Sequence, residues 1–77
     1  MKAIRLLKPL NLTDDDRIGV TVTYDVNRFY VYARKGFLLF GTFDLDVLNA
    51  ELEHNKIVDA KFDAIASRMA TVRRLGQ

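Results

Sequence analysis

The stretch from Ile18 to Phe43 constrains the fold most, because its apolar residues alternate with a period of two. In residues 18–26 the apolar side chains occupy the even positions, and Gly, Thr and Asp occupy the odd ones. This period is typical of a strand with one buried face. Residues 28–43, RFYVYARKGFLLFGTF, continue the alternation, but from Phe37 onward nearly every position is apolar. Both faces of the sheet therefore carry apolar residues, and both must be covered from water.

Two reversals divide this stretch into a three-stranded antiparallel meander. A turn at Val26-Asn27 is favoured because asparagine tolerates positive φ, and a second turn is expected at Lys35-Gly36. Opposite charges and apolar partners then meet across the strands. The expected pairs are Asp25–Arg28, Tyr24–Phe29, Val22–Val31, Val20–Ala33, Arg34–Phe37, Ala33–Leu38, Tyr32–Leu39, Val31–Phe40 and Tyr30–Gly41.

This pairing predicts two different sheet faces. We call the side that carries Val22 and Val31 the valine face; Val20, Tyr24, Phe29, Ala33, Leu38 and Phe40 are expected to share it. We call the side that carries Tyr30 and Tyr32 the tyrosine face. Its other expected members are Thr21, Thr23, Phe37, Leu39 and Phe43, with Arg28 and Arg34 at its ends.

Beyond residue 43 the apolar period changes to that of a helix. Leu45, Leu48 and Leu52 step by three and four after Asp44, a suitable N-cap, which predicts a short helix. A second stripe predicts a long helix over about residues 57–75 that ends at Gly76 and seals the valine face. Its members are Val58, Phe62, Ile65, Met69 and Val72.

A further strand is expected at Ala3 to Lys8, before Pro9, which cannot donate to a ladder. The complete prediction is one small α+β domain over residues 1–77 with the order β-β-β-β-α-α. A chain this short has a marginal core, and it has no cysteine for a disulfide or a thiolate metal site. Oligomerisation is the expected supplement, as a homodimer.

Charge is distributed unevenly along the chain, although its formal sum is only +2. Residues 44–59 are acidic and residues 60–77 are basic, which matches acids at helix beginnings and cations at helix ends. The alternative is a basic helix end, carrying Arg68, Arg73 and Arg74, that contacts an acidic partner. No segment has the length of a membrane span or of a signal-peptide core, so we expect a cytoplasmic protein without membrane contact.

The residue types needed for catalysis are missing or scattered. His54 is the only histidine and Ser67 the only serine, and the glycines form no phosphate-binding loop. The run from Thr13 to Asp16 has the spacing of a capped helical turn and lacks the spacing of a calcium loop. We therefore expect no enzyme activity, no cofactor and no metal.

The tyrosine face has three alternative covers: other parts of the chain, another protein, or single-stranded nucleic acid. Tyr, Phe and Arg are enriched at interface centres, whereas bases stack on aromatic platforms beside cations. Lys35-Gly36-Phe37 resembles the opening of the core strand of the RNA-recognition-motif family. Leu39 stands where that family needs its second stacking aromatic, and two helices follow in succession.

We interpret the chain as a non-enzymatic, self-associating protein-binding module. Size alone fits an inhibitor or adaptor of a larger assembly, of the kind that phages encode. The alternative is a single-stranded nucleic-acid-binding protein that stacks bases on Tyr30, Tyr32 and Phe37. The expected partner-binding residues are Arg28, Tyr30, Tyr32, Arg34, Phe37, Leu39, Arg68, Arg73 and Arg74.

Overall fold

The computed structural model describes residues 10–75, except the side chains of residues 73–75, and it has an α+β fold. Four strands form one mixed sheet in the order β3-β2-β1-β4. The predicted strand from Ala3 to Lys8 lies outside the described residues. The elements are a 3-10 turn at Asp15–Arg17, β1 at Thr21–Asp25, β2 at Arg28–Tyr32, β3 at Leu38–Thr42, α1 at Leu45–His54, β4 at Lys61–Phe62 and α2 at Ala64–Leu75.

The hairpin of β1 and β2 has the predicted register. Asp25 lies opposite Arg28, Tyr24 opposite Phe29, and the antiparallel pairing continues to Thr21 opposite Tyr32. The turn at Val26-Asn27 is confirmed: both residues have positive φ, 61° and 151°. The Asn27 amide donates to the carbonyl of Asp25 at 2.9 Å.

The second hairpin has a longer loop than predicted. Residues 34–36 form a three-residue loop with Gly36 at φ 100°, and the Ala33 amide donates to the Phe37 carbonyl at 2.9 Å. This is the pattern of a tight turn followed by a glycine bulge. The register therefore starts one residue away from the prediction, with Leu38 opposite Tyr32.

A second bulge within β3 restores the predicted register. Tyr32 pairs with Leu38 and Val31 with Phe40, so Leu39 is the extra residue on the bulged strand. Beyond it, Tyr30 lies opposite Gly41 as expected. The predicted pairs Arg34–Phe37, Ala33–Leu38 and Tyr32–Leu39 are wrong, because the loop has three residues instead of two and places Phe37 opposite Ala33.

The long helix predicted over residues 57–75 begins seven residues later, at Ala64. Lys61 and Phe62 instead form β4, which pairs parallel with Thr21 and Val22 of β1. The amide of Lys61 donates to the Val20 carbonyl at 2.8 Å. Asp63 then caps α2, since its Oδ1 accepts from the Ala66 amide at 2.8 Å. Pairing with the sheet therefore replaces the first part of the predicted helix.

The core lies between the valine face and the two helices. Val20, Val22, Phe29 and Val31 have no exposed surface, and α1 buries Leu45, Leu48 and Leu52 as predicted. The stripe predicted for the long helix is wrong in part: Val58, Ile65 and Val72 are 91%, 58% and 53% exposed, whereas Phe62 and Met69 pack against the core as predicted. Ala66 is fully buried, and Ala70 also packs against the core. Small residues let α2 lie close to β1 and β4.

Asn55 joins the end of α1 to the loop before β1. Its side chain is buried; Oδ1 accepts from the Leu10 amide at 3.2 Å and Nδ2 donates to the Glu51 carbonyl at 2.9 Å. Its backbone carbonyl accepts from Arg17 Nε at 2.8 Å. Lys56 follows at φ 60°, and the Ile57 amide donates to the Leu52 carbonyl, which completes a Schellman ending.

Candidate protein-binding face

Both helices pack on the valine face. Their buried side chains form one cluster with the valine-face residues of β1 and β2. Within residues 10–75, no helix or strand packs on the tyrosine face. The tyrosine-face residues of β1 and β2 are half-buried: Thr21, Thr23, Arg28, Tyr30 and Tyr32.

β2 positions the two tyrosines by its alternation. Tyr30 and Tyr32 lie on the same side of the strand, with ring centroids 6.5 Å apart and planes inclined by 36°. Tyr30 also covers the backbone of Gly41 opposite it, as predicted. A Cβ at residue 41 would lie 3.2 Å from Tyr30 Cδ1. Glycine at this position therefore leaves room for the Tyr30 ring close to the backbone of β3.

Arg28 and Phe43 form one end of the tyrosine face. The Arg28 guanidinium carbon lies 3.9 Å from the centroid of the Phe43 ring, a cation-π contact. Phe43 remains 52% exposed. Asp25 lies opposite Arg28 across the hairpin. This end thus combines an exposed apolar ring with a partly buried cation.

Arg34 lies at the other end of the face, beyond Tyr32. Its methylene carbons cover Gly19, where a Cβ would be only 3.1 to 3.2 Å away from them. Its guanidinium Nη2 donates to Asp15 Oδ1 at 2.6 Å. Both partners of this ion pair are about half exposed, so the contact orients Arg34 more than it stabilises the fold.

Lys61 is a member of the tyrosine face that the sequence did not reveal. It pairs with Thr21, whose side chain shares this face with Tyr32. Its neighbour Phe62 pairs with Val22 and packs against the core. The residues around Lys61 had a helical period, and the parallel pairing joins parts of the chain far apart in sequence. No local signal therefore placed Lys61 on the sheet.

The bulges of β3 change which apolar residues belong to the tyrosine face. Leu38, 51% exposed, lies opposite Tyr32 and so joins it. Phe37 comes opposite Ala33, on the valine side of the register, and remains 48% exposed. Leu39 packs against the core. The assignment of Phe37 and Leu39 to the tyrosine face is therefore wrong, and Leu38 takes their place.

The helix that carries the predicted basic end packs on the valine side of the sheet, opposite the tyrosine face. Arg68 is exposed on α2, which packs against the valine face. Arg73 and Arg74 lie in the last turns of α2, and their side chains are outside the described part of the chain. The structure thus divides the expected partner-binding residues between two sides of the sheet.

An open groove lies between α1 and residues 57–62. It encloses a cavity of about 410 Å³ with Leu52, Ile57 and Phe62 among its lining residues, and Asn49 and Glu53 supply polar groups. Nearby, partial burial raises the pKa of the Glu51 carboxyl above its usual value, and the charge of His54 opposes that change. Among the lining residues, Glu53 supplies the one carboxylate.

Within residues 10–75, no group of three or more histidine, aspartate or glutamate side chains is placed to hold a metal ion. In the same part of the chain, neither helix has the length and apolar character needed to cross a bilayer.

No protein-family model, no curated protein and no solved structure matches the chain.

Proposed function

We propose that this chain is a non-enzymatic protein-binding module whose binding surface is the tyrosine face. The observation that carries the proposal is the one-sided core: both helices lie on the valine face. The other side of the sheet presents Tyr30, Tyr32, Leu38 and Phe43 together with Arg28. Aromatic residues and arginine are the types that dominate the binding energy of protein interfaces.

The proposal has three further parts. The module associates with itself, it is located in the cytoplasm, and it acts as an inhibitor or adaptor of a larger assembly. A domain this small buries a limited fraction of its surface. A second copy is the simplest protein that would cover the tyrosine face. The absence of cysteine fits a reducing compartment.

A second candidate function is single-stranded nucleic-acid binding by the same face. The partly exposed side chains of Tyr30 and Tyr32 favour it, since bases stack on aromatic rings. Two observations weigh against it: Asp15 already binds the Arg34 guanidinium, and Phe43 already contacts that of Arg28. A strong phosphate footprint needs cations that are free to neutralise the backbone.

The self-association is tested with Tyr32→Ser. By sedimentation equilibrium, we expect the parent mass to rise with concentration from 8.8 kDa towards twice that value. Truncation of a central aromatic commonly costs more than about 2 kcal/mol, roughly a thirtyfold weaker association. The variant should therefore stay monomeric over the same concentrations.

Val72→Ser is the control, because Val72 is an apolar residue of α2 that is 53% exposed and lies outside the tyrosine face. It should associate as the parent does. A parent that stays at 8.8 kDa at every concentration contradicts self-association. An equal rise in mass for the parent and Tyr32→Ser would remove the tyrosine face from the interface.

A further inference from the structure

The Arg34 side chain, at one end of the tyrosine face, is held at both of its own ends. Its methylene carbons lie over Gly19, where a Cβ would be 3.1 to 3.2 Å away from them. Gly19 has φ 71°, a conformation that glycine adopts without a steric penalty. Further along the side chain, Nη2 donates to Asp15 Oδ1 at 2.6 Å. The two contacts therefore restrict the Arg34 side chain along its whole length.

Asp15 belongs to a 3-10 turn that is itself fixed to the rest of the molecule. At the start of the turn, the Thr13 amide donates to Asp16 Oδ2 and the Asp16 amide donates to Thr13 Oγ1, both at 3.2 Å. These reciprocal bonds have the pattern of a capping box. At the end of the turn, Arg17 Nε donates to the carbonyl of Asn55 at 2.8 Å. The Asp15 carboxylate thus acts on Arg34 from a turn whose position is set by other hydrogen bonds.

The ion pair leaves the Arg34 guanidinium accessible to a partner. The side chains of Arg34 and Asp15 are 54% and 51% exposed. Among the described residues, Asp15 is the one acceptor for this guanidinium, so its other N–H groups can donate to acceptors on a partner. An ion pair as exposed as this one contributes little to stability. Its loss should therefore leave the fold intact.

We propose that Asp15 is a positioning residue for the binding surface: it orders the Arg34 guanidinium before a second copy docks on the tyrosine face. This inference rests on the proposed function. Association costs free energy for each flexible side chain that it immobilises, and arginine has many rotamers to lose. Because Asp15 already holds Arg34, fewer of those rotamers are lost on binding. Arginine is also one of the residue types that dominate the binding energy of interfaces.

The test compares self-association of the full chain and of its variants by sedimentation equilibrium. Asp15→Ala removes both the charge and the acceptor that hold Arg34. We expect the dimer dissociation constant of this variant to rise about fivefold relative to the parent, a difference of about 1 kcal/mol. Its thermal unfolding, measured at concentrations where both proteins are monomeric, should match that of the parent, because the ion pair is exposed.

Asp14→Ala is the matched control. Asp14 immediately precedes the same turn, its side chain is fully exposed, and it binds Arg17 Nη1 at 3.1 Å instead of Arg34. This substitution removes the same charge from the same region, so any added repulsion between two more positive copies affects both variants. We expect it to change the dissociation constant less than about twofold.

A second measurement distinguishes positioning from a direct contact between Asp15 and the partner. Arg34→Ala should weaken association at least as much as Asp15→Ala does. In a chain that already carries Arg34→Ala, adding Asp15→Ala should leave the dissociation constant unchanged, because no guanidinium remains to be held. If Asp15→Ala weakens association equally with and without Arg34, Asp15 contacts the partner itself and the inference is wrong.

Failure of this inference is distinguishable from failure of the proposed function. If Asp15→Ala associates as the parent does while Tyr32→Ser stays monomeric, the tyrosine face is the interface but Asp15 has no part in binding. Only the inference then fails. If the parent itself stays at 8.8 kDa at every concentration, a second copy is not the partner, and the inference fails together with the proposed self-association.

Discussion

Val26, in the turn between β1 and β2, holds a strained backbone conformation that lowers the stability of the fold. It is β-branched, yet it holds φ at 61°, a region where its Cβ approaches the following carbonyl oxygen. The side chain is 81% exposed, so no packing compensates for the strain. The hydrogen bond from the Asn27 amide to the Asp25 carbonyl spans only three residues, which is the connection of a γ-turn.

Val26→Gly should therefore stabilise the protein. Glycine adopts positive φ without a steric penalty, and an L-residue pays roughly 1–2 kcal/mol there. Part of this gain is lost to the larger entropy of the unfolded chain. We expect a net increase of about 0.5–1 kcal/mol in the free energy of unfolding, measured by urea denaturation.

Val58→Gly is the control for this prediction. Val58 is also an exposed valine, 91% accessible, but it is not among the described residues with positive φ. Its replacement should give no gain, because only the entropic cost remains. Equal effects of the two substitutions would show that the turn is not strained.

At the scale of elements, the start of α2 depends on one carboxylate. Asp63 Oδ1 accepts from the Ala66 amide, and the Asp63 carbonyl accepts from the Ser67 amide. The amide of Asp63 donates to the Val22 carbonyl at 2.9 Å. Asp63 thus ends β4 and begins α2 within a single residue.

Asp63→Ala should lower the free energy of unfolding by about 1 kcal/mol, the usual cost of a lost N-cap. Asp63→Asn keeps an acceptor oxygen and should cost much less, as thermal denaturation of both variants would reveal. Asp59→Ala removes an exposed carboxylate from the loop before β4 and controls for charge. If Asp63→Asn lost as much stability as Asp63→Ala, the charge of Asp63 would matter more than its cap hydrogen bond.

The local pattern of apolar residues was enough to predict the strands and the helix whose contacts are with residues nearby in sequence. The register of β1 and β2 follows from alternation around Val26-Asn27, and the burial of Leu45, Leu48 and Leu52 follows from their spacing. β4 was not predictable in this way, because Lys61 pairs with Thr21 across the whole meander and α1. The alternation of Tyr30 and Tyr32 was enough to place both on one face.

The membership of the tyrosine face was predicted in part. The bulge at Leu39 depends on how the loop at Gly36 fits the twist of the sheet. A difference of one residue exchanges the faces of neighbouring side chains. It therefore moved Leu38 onto the tyrosine face and Leu39 towards the core.

At the scale of the molecule, the two faces of β2 should respond differently to truncation. Phe29 is fully buried in the only core cluster found within residues 10–75, whereas Tyr32 is half-buried on the opposite face. Phe29→Ala should cost about 3–5 kcal/mol, a large part of the stability of so small a domain. Tyr32→Ser should remain folded, with a native circular dichroism spectrum and cooperative melting. Similar losses in both variants would mean that the tyrosine face is also a core.

The late position of β4 and α2 in the chain has a consequence for synthesis on the ribosome. The meander and α1 are complete once His54 has been made, but Ala66 of α2 covers the valine face only afterwards. Joining β4 to β1 also closes a long loop, which is slower than forming the local hairpins. The nascent chain therefore presents Val20 and Val22 with incomplete cover until α2 has emerged, and this is the interval in which aggregation competes with folding.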